Sequence, residues 1–179
     1  PSSDYREGKG SWSQLAEGLP SILQANIAIA PSDPSILYAA IAPGQGPIGF
    51  YKSTDGGAHW FQVIHGPGAP AGLKQDMRPL ARIGGGDLPT VTIDPKDPQV
   101  VYTASTVMWR TLDGGLTWSA VRGAPGGDDY QRIWINPNDT QIILVVADQG
   151  AVVSANRGRS WSNWYNQNTA AMYHVTTDN

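Results

Sequence analysis

The sequence predicts an all-β fold built from repeated four-stranded antiparallel units, and three observations lead to that prediction. One eight-residue motif occurs three times, and each copy starts in a predicted strand and ends at a tryptophan. The 21 Gly and 14 Pro among 179 residues favour turns over helices. The motif pattern is Ser or Thr, any residue, Asp or Asn, any residue, Gly, two variable residues and Trp. Its copies lie at 53–60, 111–118 and 154–161.

Each copy of the motif occupies the same place in a larger predicted unit. Upstream lie a short alternating strand, a turn that contains Pro, and a second strand rich in β-branched residues. A third strand runs into the motif, and a fourth begins at its tryptophan. The upstream segments are 26–40, 90–104 and 132–146. The third strands are 49–52, 107–110 and 151–153, and the fourth strands are 60–63, 118–121 and 161–164.

Four antiparallel strands per unit is the content of one β-propeller blade, so the sequence predicts a partial β-propeller. Trp12, Trp60, Trp118 and Trp161 recur at spacings near the roughly 40–50 residues of propeller repeats. Three complete blades and two half-blades are expected, from a ring of seven or more. The missing blades would belong to the same protein, or a second chain would complete the ring.

The predicted domains follow from this count. In order, they are the end of a preceding blade (1–18), a blade (19–65), an inter-blade insertion (66–88), two further blades (89–122 and 123–168) and the first strand of a following blade (169–179). The insertion is rich in Pro and Gly, and a loop of that length on a compact scaffold is usually functional or mobile.

Composition excludes several kinds of site and partner. With 12 Lys plus Arg against 15 Asp plus Glu, a net charge of -3 gives no general attraction to nucleic acid or anionic lipid. The chain has no Cys, which rules out disulfides, Cys-ligated zinc and thiol catalysis. The apolar run 142–147 has the length of a strand, so no membrane span is expected.

The motif residues have structural roles that explain the pattern. A short acceptor side chain in a hairpin turn can bind the N–H groups of its own loop, glycine supplies a positive φ, and the tryptophan ring packs on the sheet. We therefore predict that the motif residues stabilise the turns and are neither catalysts nor metal ligands. The predicted structural residues are Ser53, Asp55, Gly57, Trp60, Thr111, Asp113, Gly115, Trp118, Ser154, Asn156, Gly158 and Trp161.

This motif resembles the Asp-box, or BNR repeat, of sialidases, sortilin-type receptors, xyloglucanase-type glycoside hydrolases and a photosystem assembly factor. The whole chain resembles the bacterial sortilin-like proteins often labelled BNR-repeat glycosyl hydrolases, most closely over 128–179. The resemblance implies a propeller and an extracellular or periplasmic protein. Tyr130 and Gln131 stand where that family carries histidines, so no metal and no cofactor are expected.

The candidate ligand-binding residues are few, and each of them could instead have an ordinary structural or surface role. Asp128 and Asp129 are adjacent carboxylates near Arg132, in a predicted loop that enters an innermost strand, but a solvated loop explains them as well. Trp164 is the one aromatic free to stack on a sugar, because Trp161 belongs to the blade core. Four charged residues of the insertion could contact a partner, but a soluble loop explains them equally well: Lys74, Asp76, Arg78 and Arg82. The three histidines could be ligands, but packing or surface positions explain them equally well: His59, His65 and His174.

Two functions from different classes remain open, and a third ranks below them. The first is a non-catalytic module that binds protein or glycan and acts as a scaffold. The alternative is a part of a glycoside hydrolase of the xyloglucanase type, whose two catalytic carboxylates lie partly elsewhere, since no facing pair is evident in the sequence. The third is a purely structural subunit. No catalytic residue is assigned.

Overall fold

The computed structural model describes residues 14, 17–63, 78–80 and 87–163. Eleven strands in these ranges form three antiparallel sheets that follow one another along the chain. The first sheet contains β1 (Ile22–Ile29), β2 (Leu37–Pro43), β3 (Gly49–Ser53) and β4 (Phe61–Gln62). The second contains β5 (Thr90–Ile93), β6 (Val101–Ala104), β7 (Met108–Thr111) and β8 (Ser119–Arg122). The third contains β9 (Tyr130–Ile135), β10 (Ile143–Ala147) and β11 (Gly150–Ser154). A short 3₁₀ turn, Arg78–Leu80, lies between the first two sheets in the chain.

The all-β prediction is confirmed, and the chain is a partial β-propeller. Every strand pairs with its sequence neighbour inside its sheet, as in a blade. The first strands lie next to one another, because β1 contacts β5 and β5 contacts β9. These three strands therefore line the same side of the arc, where the central channel of a propeller would be.

The strands differ from the sequence prediction at several positions. The fourth strands begin one residue after the motif tryptophan, at Phe61 in β4 and at Ser119 in β8. The first strand begins at Ile22 instead of residue 26, because β2 runs on to Pro43 and pairs with it across a register shift between Ile22 and Gln24. In the third sheet, β9 begins at Tyr130, so Arg132 lies within a strand and not in the entering loop.

A fourth strand in the third sheet is not assigned within the described residues, which end there at Asn163. Ser162 N–H nevertheless donates to Val153 O at 2.8 Å, at the register where β4 and β8 pair in the other two sheets. The predicted half-blades at 1–18 and 169–179 fall almost entirely outside the described residues. The same holds for most of the insertion at 66–88.

The core consists of layers between neighbouring sheets, which follow from strand alternation. Tyr38 and Ala40 of β2 point toward the second sheet, whereas Ala39 and Ile41 point to the opposite face. A second layer joins the second sheet to the third. It contains Val100, Tyr102, Ala104, Met108, Tyr130, Ile133, Ile135, Ile143, Val145 and Val152.

Candidate functional site

The three motif turns share one set of hydrogen bonds. In the first copy, Ser53 Oγ donates to Asp55 Oδ1 at 2.9 Å and accepts the Gly57 N–H at 2.9 Å. Asp55 Oδ1 also accepts the His59 N–H at 2.9 Å. The second and third copies repeat these contacts at distances between 2.7 and 3.0 Å. The bonded residues there are Thr111, Asp113, Gly115 and Thr117, then Ser154, Asn156, Gly158 and Ser160.

The motif glycine allows the turn to lie against the preceding sheet. Gly115 has φ +104, and a Cβ there would lie 3.0 Å from Val63 and 3.1 Å from Phe50 of the first sheet. Gly158 has φ +83 and faces Val121 of the second sheet. The tryptophans that close the second and third motifs pack in the same direction. The Trp118 ring meets Phe50 of the first sheet edge-on at 5.3 Å, and Trp161 packs against the layer between the second and third sheets.

The third copy departs from the other two at one position. Arg157 occupies a left-handed conformation, φ +57, where the first two copies have Gly56 and Gly114. Its guanidinium donates to Thr140 Oγ1 at 2.8 Å and lies 3.7 Å from Asp94 Oδ2. Asp94 is fully buried in the second sheet, so this arginine gives a buried carboxylate a cationic neighbour across the sheet–sheet boundary.

Hydrogen bonds lower the pKa values of the motif carboxyls. The His59 backbone N–H, then the His59 side chain, lower the pKa of Asp55 to about 2. Desolvation acts the other way on Asp113, but the hydrogen bonds from Thr117 and Thr111 outweigh it and leave that pKa below its ordinary value. The contact with Asp55, assisted by Glu17, raises the pKa of His59.

A second group of carboxylates lies at the opposite end of the sheets. Asp128 and Asp129 precede β9, and Asp148 follows β10, whose Ala147 pairs with Tyr130. Because the motif turn follows the far end of β11, these aspartates and the motif are at opposite ends of the third sheet. Asp87 precedes β5 at the same end. We call Asp87, Asp128, Asp129 and Asp148 the acidic edge.

The surroundings of Asp129, at the acidic edge, disfavour its charged form. Desolvation, then the charge of Asp148 and a hydrogen bond with it, raise the pKa of Asp129 above its ordinary value. Asp128 and Asp87 add to the same effect. The backbone of Asp129 is left-handed, φ +49, and Gln131 Nε2 donates to its Oδ1 at 3.0 Å. Gln149 Nε2 donates to the carboxylate of Asp128.

The structure brings together some of the predicted ligand residues and not others. Asp128 and Asp129 are adjacent at the acidic edge, while Arg132 lies on the face of β9 that also carries Trp134. Trp164 lies outside the described residues. So do Lys74, Asp76, Arg82, His65 and His174, and for Arg78 only the backbone is described.

Sequence reasoning missed Asp148, Asp87 and Gln149 as members of this group. Asp148 had one usable signal. It lies two residues beyond the predicted segment 132–146, and pairing the two strands of that segment would have placed it near Asp129. No comparable sequence signal exists for Asp87, because Asp129, on which it acts, belongs to a different sheet.

The arrangement sets limits on the chemistry of the described residues. Two carboxyls that share a hydrogen bond are too close to flank a glycosidic bond, where the separation is roughly 5–9.5 Å. Among the described residues, no group of three or more His, Asp or Glu side chains is placed to hold a metal ion. No helix in the described part of the chain has the length and apolar character needed to cross a membrane.

Comparisons with known proteins identify relatives and fold neighbours. No protein-family model matches the chain. A xyloglucanase from a Paenibacillus species is 32% identical over 114 residues, which is 56% of this chain and 10% of that relative. The chain therefore spans about a tenth of the length of this curated relative.

Two solved structures have the same fold. A GH74 enzyme of Niastella koreensis aligns with a TM-score of 0.57 at 18% identity, over 76% of this chain and 22% of the other. YCF48 of Cyanidioschyzon merolae aligns with a TM-score of 0.53 at 19% identity, over 86% of this chain and 40% of the other. At these identities the likeness is one of fold, and it supports the propeller.

Proposed function

We propose that the chain is part of a propeller-based glycoside hydrolase that acts on xyloglucan or a related β-glucan. The observation that carries the proposal is the carboxyl pair at the acidic edge of a chain that has a curated xyloglucanase as a relative. This is the alternative function expected from the sequence. The extracellular or periplasmic location that the family resemblance implies is part of the same proposal.

The chemistry follows from the raised pKa. The general acid of a glycoside hydrolase is a carboxyl whose pKa is raised, and desolvation together with the charge of Asp148 raises the pKa of Asp129. Asp129, hydrogen-bonded to Asp148 and held by Gln131, would protonate the leaving-group oxygen. The second carboxylate, which acts as nucleophile or base roughly 5–9.5 Å away, would come from another blade of the ring.

A non-catalytic glycan- or protein-binding scaffold of the sortilin-like type is the second candidate. One observation favours it. Asp129 accepts a hydrogen bond from the Gln131 amide and Asp128 accepts one from the Gln149 amide, and such a group of polar side chains suits hydrogen bonding to sugar hydroxyls and requires no proton transfer. In this second proposal, as in the first, the motif residues Asp55, Asp113 and Asn156 hold their turns and take no part in ligand binding.

The test is hydrolysis of xyloglucan by the full-length protein and by its variants Asp129→Asn and Asp148→Asn. Loss of a general acid lowers kcat by about 10²–10⁴-fold, so we expect at least a 10²-fold loss in Asp129→Asn. The measurement is the rate at which reducing ends are released.

The matched control is Asp139→Asn, an exposed aspartate in the turn at the opposite end of the third sheet. It should leave kcat within about twofold of the wild type, as surface substitutions away from a site usually do. Binding of xyloglucan without hydrolysis by the wild type would favour the second candidate. Normal kcat in both Asp129→Asn and Asp148→Asn would exclude the proposed acid.

A further inference from the structure

Each sheet carries one cross-strand row at an equivalent position, and in the first two sheets this row faces the next sheet. Strand register defines the row: the residue before the motif Ser or Thr, its partner on the second strand, and that residue's partner on the first. The rows are Ala28–Tyr38–Lys52, Thr92–Tyr102–Arg110 and Trp134–Leu144–Val153. The three rows are thus equivalent positions of one repeat.

The first two rows bind the neighbouring sheet through a cation. Lys52 Nζ lies 5.2 Å from the centre of the Tyr38 ring and 3.4 Å from Gln99 Oε1 of the second sheet's turn. Arg110 Nη1 donates to the carbonyl oxygen of Arg157, in the motif turn of the third sheet, at 3.0 Å. Tyr38 and Tyr102 beneath these cations are 0% exposed.

The third row has a different chemistry. Val153 stands where the other rows have Lys or Arg, and Leu144 stands where they have Tyr. Trp134 is 52% exposed and Val153 is 44% exposed, although the equivalent positions in the other sheets face a neighbour. Single exposed apolar residues are ordinary, but a contiguous apolar row at interface positions indicates an interaction surface.

We propose that this row binds a further sheet of the same polypeptide, through an apolar contact instead of a cation on a turn. The sequence predicts the first strand of that sheet at 169–179, and the repeat already uses equivalent rows for its two internal boundaries. The covering sheet places an apolar side chain opposite Val153, where the second and third sheets place a polar turn. This inference does not depend on the proposed activity.

The test is the melting temperature of the full-length protein carrying Val153→Lys or Val153→Asp. If the covering surface is apolar, either charge is buried without a partner, and each variant should lower Tm by about 5 °C or more. Leu112→Lys is the control, since Leu112 is 59% exposed in the second motif turn and lies off this face. It should shift Tm by less than about 1 °C.

Three results would overturn the proposal, each in a different way. Unchanged Tm in both Val153 variants would mean that the face is open to solvent. Tolerance of Val153→Lys together with a lowered Tm in Val153→Asp would indicate a polar turn, as at the other two boundaries. A Trp134→Ala variant with unchanged Tm and lost xyloglucan binding would make the row a sugar platform.

Discussion

The two ends of these sheets carry aspartates with opposite electrostatics. At the motif end, Asp55 and Asp113 accept hydrogen bonds from their own turns, and their pKa values are lowered. At the acidic edge, Asp129 is crowded by Asp148, and its pKa is raised. The same residue type therefore stabilises the fold as an anion at one end, whereas at the other end its surroundings disfavour the charged form.

The largest effect on stability should come from the motif glycine. In Gly115→Ala, the new Cβ would be tight against Val63 and Phe50 in a backbone with φ +104, so we expect a loss of about 2–4 kcal/mol in unfolding free energy. Gly56→Ala is the matched control. Its φ is +73 and nothing lies within 4 Å of the added Cβ, so strain alone should cost about 1 kcal/mol.

Chemical denaturation of both variants measures the difference. Equal losses in Gly115→Ala and Gly56→Ala would mean that the motif glycine serves its own turn only, and that its close approach to the preceding sheet adds nothing.

Much of the fold could be predicted from the sequence, because the same motif occurs three times at the same place in each unit. The turn residues at Asp55, Asp113 and Asn156 occupy fixed offsets, and the strands around them follow from alternation. The start of β1 at Ile22 could not be predicted, since its first residues are exposed and depend on the length of β2.

The candidate site was less predictable because it is assembled from separate segments. Asp128 and Asp129 were found as adjacent carboxylates, but the raised pKa of Asp129 depends on Asp148, 19 positions further along, and on Asp87 of another sheet. The inter-sheet cations Lys52 and Arg110 escaped notice for the same reason, since their acceptors lie in the next unit.

A smaller expected effect is the pH dependence of stability, which should differ between the two ends of the sheets. A lowered pKa means that Asp55 contributes stability above its ordinary value near 3.8, and that this is lost as the pH falls toward about 2. A raised pKa means the reverse for Asp129: stability is retained below its ordinary value and lost as the pH rises through the raised one.

The variants Asp55→Asn and Asp129→Asn should therefore shift Tm in opposite directions at pH 7. Asp55→Asn should lower Tm there and converge on the wild type near pH 2. Asp129→Asn should raise Tm slightly at pH 7 and match the wild type near pH 3. A parallel pair of pH profiles would show that the two ends do not differ electrostatically.

The measurement that tests the central claim most directly is a pair of assays on Asp113→Ala and Asp129→Asn in the full-length protein at pH 7. Asp113→Ala removes the acceptor for Thr111 and Thr117, so it should lose about 1–3 kcal/mol of stability and keep kcat on xyloglucan while folded. Asp129→Asn should keep or gain stability and lose at least about 10²-fold in kcat. The reverse pattern, with activity lost in Asp113→Ala at unchanged stability and retained in Asp129→Asn, would contradict the account.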